Sequence, residues 1–330
     1  MRRRTFIAAL GAAVAWPLAA GAQQRIPRIG YLDAVPVWGT GTLWFAAFQR
    51  GLSDFGYVPG KNVEIESRFW RGGPIDKLEV LARELVDLEI DVIVTVGDGA
   101  YAAHRVTKTV PIVAVLATGD IVADGLADSL AHPGGNVTGE TYFVTELFVK
   151  RIALLKEVKP AMTSVGLLSQ QGDPEIPAYL RAMDAPVKAL GVTLEPIEVA
   201  DPSDCDRALS AGPGVSIGGL VVTDSAQFAE FGLGYGLSPI AAAAARHGVL
   251  SAGPPVFARF GGLLGYGVDV VPMFRRAATF VDKILKGAKP SDLPIEQAPK
   301  LEMIVNLTTA KVLGIDIPST VLAAADEVIE

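Results

Sequence analysis

Short apolar runs alternate with amphipathic helical segments along most of the chain, and this alternation restricts the fold more than any other feature. The pattern begins with an apolar run at 28–32 and a helical segment at 41–55. It restarts after a helical segment at 146–158 with a new apolar run at 164–168. Strands that alternate with helices predict parallel sheets with helices on both faces, so the fold class is α/β with two Rossmann-like halves.

The amino-terminal segment predicts an export signal. Three arginines at 2–4 precede an apolar stretch at 6–18, and Ala20-Gly21-Ala22 forms a small-residue cleavage site. Residues 3–7 also fit a twin-arginine pattern, so both this route and the general secretory route stay open. The apolar stretch is shorter than a membrane span, and the sequence predicts a soluble mature chain in the periplasm.

Charge and cysteine content exclude several classes of partner. The predicted signal removes three of the 29 basic residues and none of the 36 acidic ones, which leaves 26 against 36 and a net charge of −10. This excess of acid disfavours nucleic acid and anionic membrane surfaces. The lone Cys205 excludes an intrachain disulfide and lies too far from the cleavage site for a lipid anchor. It is either a buried thiol or a reactive one.

The sequence predicts no enzyme, no cofactor and no metal. Residues 214–218 match the G-x-S-x-G pattern around Ser216, which keeps a secreted hydrolase as an alternative. The pattern precedes an apolar run instead of following one, so its context argues against a nucleophile elbow. His104, His132 and His247 have no metal-binding spacing, and no nucleotide-binding fingerprint is present.

A set of ordered motifs extends over nearly all of the chain after the signal. They are Pro111-Ile112-Val113, Gly119-Asp120, the runs at 133–139 (PGGNVTG), 150–157 (KRIALLKE), 261–267 (GGLLGYG) and 286–290 (KGAKP), and Gly314-Ile315-Asp316-Ile317-Pro318. In order and spacing they closely resemble the ABC transporter substrate-binding family, which includes tryptophan- and tyrosine-type binding proteins.

This resemblance implies a type I periplasmic-binding fold, with two lobes joined by a hinge near 140–144 and 266–269. It implies a monomeric periplasmic component of an ABC importer that binds an aromatic amino acid, or an aromatic or branched organic acid. The permease and the ATPase would be other chains. An extracytoplasmic sensing partner of a membrane receptor stays as an alternative. The expected division is signal 1–22, lobe one 26–140 plus 268–290, and lobe two 141–267 plus 291–330.

Ligands of open α/β sheets bind beyond the carboxyl ends of the strands. The resemblance therefore implies a site lined by the loops that follow successive strands. Lobe one is expected to supply Asp33, Trp38, Thr40, Gly97, Asp98, Gly99, Ala100, Thr118 and Asp120. The first crossing and lobe two are expected to supply Tyr142, Ser169, Gln170, Asp224, Ser225 and Tyr266.

Several of these residues have more than one chemical interpretation. Trp38 offers a flat apolar face to a ligand. A helix that begins at Gly99 offers free N–H groups to a carboxylate, and Asp98 either caps this helix or receives a ligand amine. Asp224 follows an apolar strand, where a charge is costly unless paired, so it is either solvated or pairs with a ligand ammonium. Tyr142 forms an aromatic wall or packs the hinge.

Overall fold

Two separate β-sheets, each covered by helices, form the two halves of the protein. The structure is a computed structural model that describes residues 25–33, 43–70, 76–117, 121–173, 175–211, 217–224, 228, 236–298 and 300–330. The predicted α/β class with two lobes is confirmed.

The strands and helices follow the predicted alternation through both halves. In chain order the strands are β1 (Arg28–Asp33), β2 (Glu64–Phe69), β3 (Val92–Val96), β4 (Ile112–Ala117), β5 (Val137–Thr141), β6 (Ser164–Gln170), β7 (Thr193–Val199), β8 (Gly219–Val222), β9 (Leu250–Gly253), β10 (Leu264–Val268), β11 (Glu296–Gln297), β12 (Leu301–Asn306) and β13 (Glu327–Ile329). The helices are α1 (Leu43–Asp54), α2 (Asp76–Asp87), α3 (Gly99–Val106), α4 (Val144–Val158), α5 (Ile176–Ala189), α6 (Cys205–Ser210), α7 (Leu237–Arg246), α8 (Pro255–Arg259), α9 (Val270–Leu285), α10 (Leu307–Leu313) and α11 (Ser319–Ala324).

The strand order is β11-β5-β4-β3-β1-β2 in the first sheet and β13-β12-β10-β9-β8-β6-β7 in the second. The first sheet is parallel throughout, as the alternation predicts. In the second sheet β12 runs antiparallel to β10. The reason lies in the connection: β12 enters directly from the first sheet, whereas a parallel neighbour is usually reached through a helical crossover.

Both faces of each sheet are buried, which explains why the central strands are apolar on both sides. In β3, Val92, Val94 and Val96 pack under α1 and α9, while Ile93 packs with α2 and α3 on the other face. The second sheet has the same plan, with α4 and α5 on one face and α6 and α7 on the other.

Cys205 belongs to the buried core of the second sheet. Burial raises the pKa of its thiol to about 12. The thiolate is the reactive form, so of the two alternatives the structure supports a buried, unreactive thiol.

The chain passes between the two sheets three times. The first passage is at 142–143 after β5, and the second is at Asp269 after β10. The expected division places a third at 290–291, whereas in the structure it comes later, between β11 and β12. The expected placement of 291–297 in lobe two is wrong, because β11 pairs with β5 in the first sheet, with Glu296 opposite Glu140. A two-residue strand leaves no hydrophobic periodicity from which to predict it.

Helix α9 returns from the second sheet and packs against α1 of the first. The ring of Trp44 stacks on that of Phe274 at 5.1 Å between centroids. At Gly51 the two helices are so close that an added Cβ would lie 2.1 Å from the carbonyl oxygen of Arg275. Glycine at this position therefore sets the separation of the two helices.

We expect Gly51→Ala to destabilise the protein. In an exposed helix interior, replacing glycine by alanine stabilises the helix by roughly 1 kcal/mol. Overpacking typically costs about 1–3 kcal/mol, and the group that the new Cβ would meet here is the backbone carbonyl of Arg275, which cannot move aside as a side chain can. Urea unfolding measures the difference. Ser53→Ala, at an exposed position of the same helix, is the control and should change stability by no more than about 0.5 kcal/mol. A stabilised Gly51→Ala variant would show that α9 does not dock on α1.

Candidate functional site between the lobes

The carboxyl ends of β3 and β6 meet between the lobes. The segment Gly97-Asp98-Gly99 follows β3, and Asp173 follows β6 in the other lobe. Burial raises the pKa of Asp98, and the negative charge of Asp173 raises it further, while Arg105 opposes the shift. The predicted residue Asp98 therefore lies near a carboxylate of the opposite lobe.

The start of α3 is shaped by its two glycines. Gly97 has φ +56°, a left-handed conformation that glycine adopts without strain. A Cβ at Gly99 would lie 3.2 Å from the Oγ1 of Thr95 and 3.4 Å from the carbonyl oxygen of Leu32. Glycine thus lets the first turn of α3 pack closely over the ends of β1 and β3.

Asp98 occupies the N-cap position of α3 but does not cap the helix. Its side chain makes no capping hydrogen bond, so the prediction of a cap is wrong. Capping aspartates usually have an extended backbone, whereas Asp98 is helical with φ −62° and ψ −11°. The first turn of α3 therefore has no side-chain cap from Asp98, whose own carboxylate remains on the interlobe side.

The charge of one carboxylate, Glu175, acts on three tyrosines. Tyr179 on α5 donates a hydrogen bond of 2.5 Å to the Oε2 of Glu175. Tyr101 on α3 donates one of 2.9 Å to the Oδ2 of Asp124. Burial raises the pKa of Tyr101, Tyr142 and Tyr179, and the charge of Glu175 contributes in each case. We call these three tyrosines together with Asp98, Asp173 and Glu175 the interlobe cluster.

Tyr142 and Tyr266 lie where the two lobes join. Each packs against hydrophobic residues of both the first and the second core. The charge of Asp224 helps to raise the pKa of Tyr142, so this side chain also lies near the end of β8. For Tyr142 the two predicted roles are therefore compatible, because it packs where the lobes join and is itself part of the interlobe cluster.

Asp224 already has a cationic partner within the protein. The Nη2 of Arg151 donates a hydrogen bond of 2.7 Å to its Oδ1. This corrects the expectation that Asp224 is either solvated or paired only by a ligand. Burial raises the pKa of Asp224, and the charge and hydrogen bond of Arg151 oppose that shift.

The remaining predicted residues divide into those that the structure buries and those outside the described ranges. Asp33, Ala100 and Ser169 are buried at or next to strand ends, Gly97 and Gln170 are half-buried, and Gly99 is buried. The charge of Asp33 contributes to the raised pKa of Tyr31 within the first core. Trp38, Thr40, Thr118, Asp120, Ser225 and the alternative nucleophile Ser216 lie outside the described residues.

Neither a metal cluster nor a membrane-spanning helix is found in the described parts of the chain. The histidines have ordinary protein partners there. His104 Nδ1 lies 3.1 Å from the side-chain oxygen of Asn136, and His247 Nε2 lies 3.2 Å from Asp206.

A family model described as "ABC transporter substrate binding protein" matches residues 42–329. The chain belongs to this family. It is accordingly a substrate-binding protein of the ABC-transporter type and not an enzyme. This class binds small ligands, works with ABC permeases and acts outside the cytoplasm.

Individual relatives of this substrate-binding protein are distant in sequence. A protein named "Tyrosine-binding protein" from Clostridioides difficile is 24% identical over 273 residues, which cover 81% of this chain and 75% of the relative. A solved structure from Streptococcus pneumonia, described as the ABC domain in complex with L-Trp, has a TM-score of 0.76 at 23% identity and covers 91% of this chain and 100% of its own. The structure of a conserved domain protein from Vibrio cholerae has a TM-score of 0.78 at 24% identity. The match covers 92% of this chain and 100% of the other. At this level of identity the two structures support the fold alone.

Sequence reasoning missed several residues of the site. Asp173 and Glu175 follow β6 in the loop after Gln170. The predicted site ended at Gln170 in this loop and therefore did not include them. Tyr179 lies one helical turn beyond Glu175, on a helix face whose apolar residues are typical of the buried core. Arg151 lies in an amphipathic helix, where a charge usually faces solvent, and no local signal marks its pairing with Asp224.

The proximity of the lobes predicts an electrostatic coupling between Asp98 and Asp173. We expect Asp173→Asn to lower the pKa of the Asp98 carboxyl, because a nearby negative charge is removed. Carbon-13 NMR titration of the aspartate carboxyls measures this pKa. Asp184→Asn, on the exposed face of α5 in the same lobe, is the matched control and should leave it unchanged. An Asp98 pKa that is equal in both variants would contradict the meeting of β3 and β6.

Proposed function

We propose that this chain binds an aromatic amino acid, or an aromatic or branched organic acid, between its lobes in the periplasm and delivers it to an ABC importer. The observation that carries the proposal is the interlobe cluster, in which both lobes present tyrosines and carboxylates at the carboxyl ends of their strands. A ligand that touches both sets of groups would stabilise the closed arrangement of the lobes.

The charges of the interlobe cluster favour an amino acid among these ligands. Asp98, Asp173 and Glu175 are three carboxylates in one region, and the buried guanidinium of Arg151 is already paired with Asp224. A ligand ammonium would relieve the repulsion between the carboxylates. The positive end of the α3 dipole would favour the ligand carboxylate. A zwitterion satisfies both requirements, whereas an organic acid satisfies one.

The rings of the interlobe cluster favour an aromatic side chain. Tyr101, Tyr142 and Tyr179 approach from the first lobe, the crossing and the second lobe respectively, and the ring of Phe148 lies edge-on to Tyr179 at 5.6 Å. Aromatic pairs contribute about 0.5–1.5 kcal/mol beyond the area that they bury. The names of two relatives, a tyrosine-binding protein and a domain solved with L-Trp, agree with this choice.

Closure of the lobes is the mechanism that goes with this function. Lobe one would consist of 26–140 and 268–297, and lobe two of 141–267 and 298–330, with the three crossings as the hinge. Without ligand, repulsion between Asp98 and Asp173 favours separation of the lobes. A bound ammonium reverses that preference, and the permease then distinguishes the closed protein from the open one. The chain would act as a monomer, with the ATPase on another polypeptide.

Calorimetric titration of the mature protein tests the ligand. We expect saturable binding of L-tryptophan, L-tyrosine or L-phenylalanine, and much weaker binding of indole-3-propionate and benzoate, which lack the ammonium. Asp98→Asn should weaken amino-acid binding roughly tenfold or more, since a charged hydrogen bond is lost. Asp184→Asn is the control of equal charge change. If none of the three amino acids produces heat of binding, the proposed ligand class is wrong.

Export is tested by the amino terminus of the periplasmic protein. We expect cleavage after Ala22, so that mass spectrometry finds Gln23 as the first residue. Ala22→Leu should block this cleavage, because the enzyme requires small residues. The pair Arg3→Lys and Arg4→Lys keeps the positive charge and separates the two export routes, since only twin-arginine export should stop. A cytoplasmic, uncleaved wild-type chain would refute the proposed location.

A further inference from the structure

Arg151 makes an unusual set of contacts for a residue on an amphipathic helix. Its side chain is fully buried. Nε donates a hydrogen bond of 2.8 Å to the carbonyl oxygen of Tyr266, and Nη1 donates one of 3.1 Å to that of Val222. Nη2 donates the hydrogen bond of 2.7 Å to the Oδ1 of Asp224. The guanidinium carbon also lies 5.4 Å from the ring centre of Phe148.

These contacts join two strands that are not neighbours. In the second sheet β9 lies between β8, which ends at Val222, and β10, which contains Tyr266. The planar fork of the guanidinium therefore links the end of β8 to the middle of β10 across β9. Gly267 leaves room for it, since an added Cβ there would lie 3.0 Å from Nη2.

Arg151 engages only one of the two oxygens of the Asp224 carboxylate. Arg151 binds Oδ1, and within the described residues no donor binds Oδ2. The side chain of Asp224 is 16% exposed, so part of it is accessible within the described residues. Three groups face it: Arg151 from α4, Tyr142 from the first crossing, whose pKa responds to the charge of Asp224, and Tyr266 from β10 beside the guanidinium. Of these only Arg151 carries a positive charge.

We propose that Arg151 is a positioning residue, which fixes the Asp224 carboxylate at the edge of the interlobe site so that its free oxygen binds the cationic group of the ligand. This inference rests on the proposed function. A lysine cannot replace the fork, because a single ammonium cannot bind two carbonyl oxygens and a carboxylate in one plane. Asp224 was a predicted ligand residue, and Arg151 would supply its orientation.

The test compares Arg151→Gln, Arg151→Lys and the neutral pair Arg151→Gln with Asp224→Asn. The affinity for L-tryptophan is measured by calorimetry between pH 5 and 9, after circular dichroism has shown that each variant is folded. Arg151→Gln should weaken binding by roughly tenfold to a hundredfold at neutral pH. Its affinity should recover as the pH rises, because Asp224 then ionises without the help of a neighbouring positive charge.

The pH profile separates positioning from a merely structural role. A structural role would weaken binding equally at every pH, and that result would overturn the inference. Arg151→Lys should restore the pH profile of the wild type but only part of its affinity. The double variant should bind weakly and without this pH dependence. The affinity for indole-3-propionate, which lacks the ammonium, should change much less than the affinity for L-tryptophan in each of these variants.

A second measurement does not depend on the ligand. Carbon-13 NMR gives the pKa of the Asp224 carboxyl in the free protein, and Arg151→Gln should raise it. If this shift occurs but the wild type binds no amino acid, the proposed function and the ligand role of Asp224 both fail, while the electrostatic action of Arg151 on Asp224 stands. If the pKa does not move, Arg151 does not control Asp224 and the inference fails on its own.

Gly267→Ala is the second variant, in case Arg151→Gln does not fold. It keeps both charges, and its added Cβ would lie 3.0 Å from the Nη2 of Arg151 and 3.2 Å from the Cδ of Pro255. We expect a several-fold loss of affinity with the pH profile unchanged. An affinity equal to that of the wild type would contradict the requirement for a fixed carboxylate.

Discussion

The burial of both faces of each sheet determines where this protein can bind anything. Helices cover the faces, so the strands reach the surface at their ends, and the segments that follow β3, β6 and β8 are among those that the architecture leaves uncovered. The three crossings then bring the carboxyl ends of the two sheets toward each other. The proposed binding between the lobes would therefore be a consequence of how the sheets are packed.

The charges of the interlobe region decide which chemical group of a ligand this geometry would favour. Charged groups that leave water must be paired or must shift their pKa, and the interlobe region contains both cases. Asp224 is paired with Arg151, whereas burial raises the pKa of Asp98 and of Asp173, with a smaller contribution from Asp173 in the first case and from Glu198 in the second. In the proposed binding mode a cationic group of the ligand would relieve this repulsion, so affinity and closure would come from the same interaction.

The sequence predicts the fold well and the site only in part. The four apolar residues of β3 and the strong periodicity of α2 identify their elements because local pattern and tertiary burial agree. β11 could not be predicted from the sequence, since a strand of two residues is too short to show a hydrophobic periodicity. The loops after strands were located correctly, but their partners were not: Arg151 and Asp224 are 73 residues apart, and their pairing depends on the packing of α4 across β8. The backbone of Asp98, which decides against a helix cap, is likewise set by the close packing of α3 on β1 and β3.

The third crossing has a consequence for biosynthesis. Its strand, β11, completes the edge of the first sheet by pairing with β5, and α9 covers a face of that sheet, yet both are translated after nearly all of the second lobe. On the ribosome the amino-terminal half thus emerges with one face of its sheet uncovered, while the second sheet can assemble around residues 164–268. Such non-local closure slows folding, because the entropy of a long loop is lost before its contacts form. The lobe whose synthesis begins first therefore stays incomplete until residue 297, and the second sheet receives its last two strands, β12 and β13, later still.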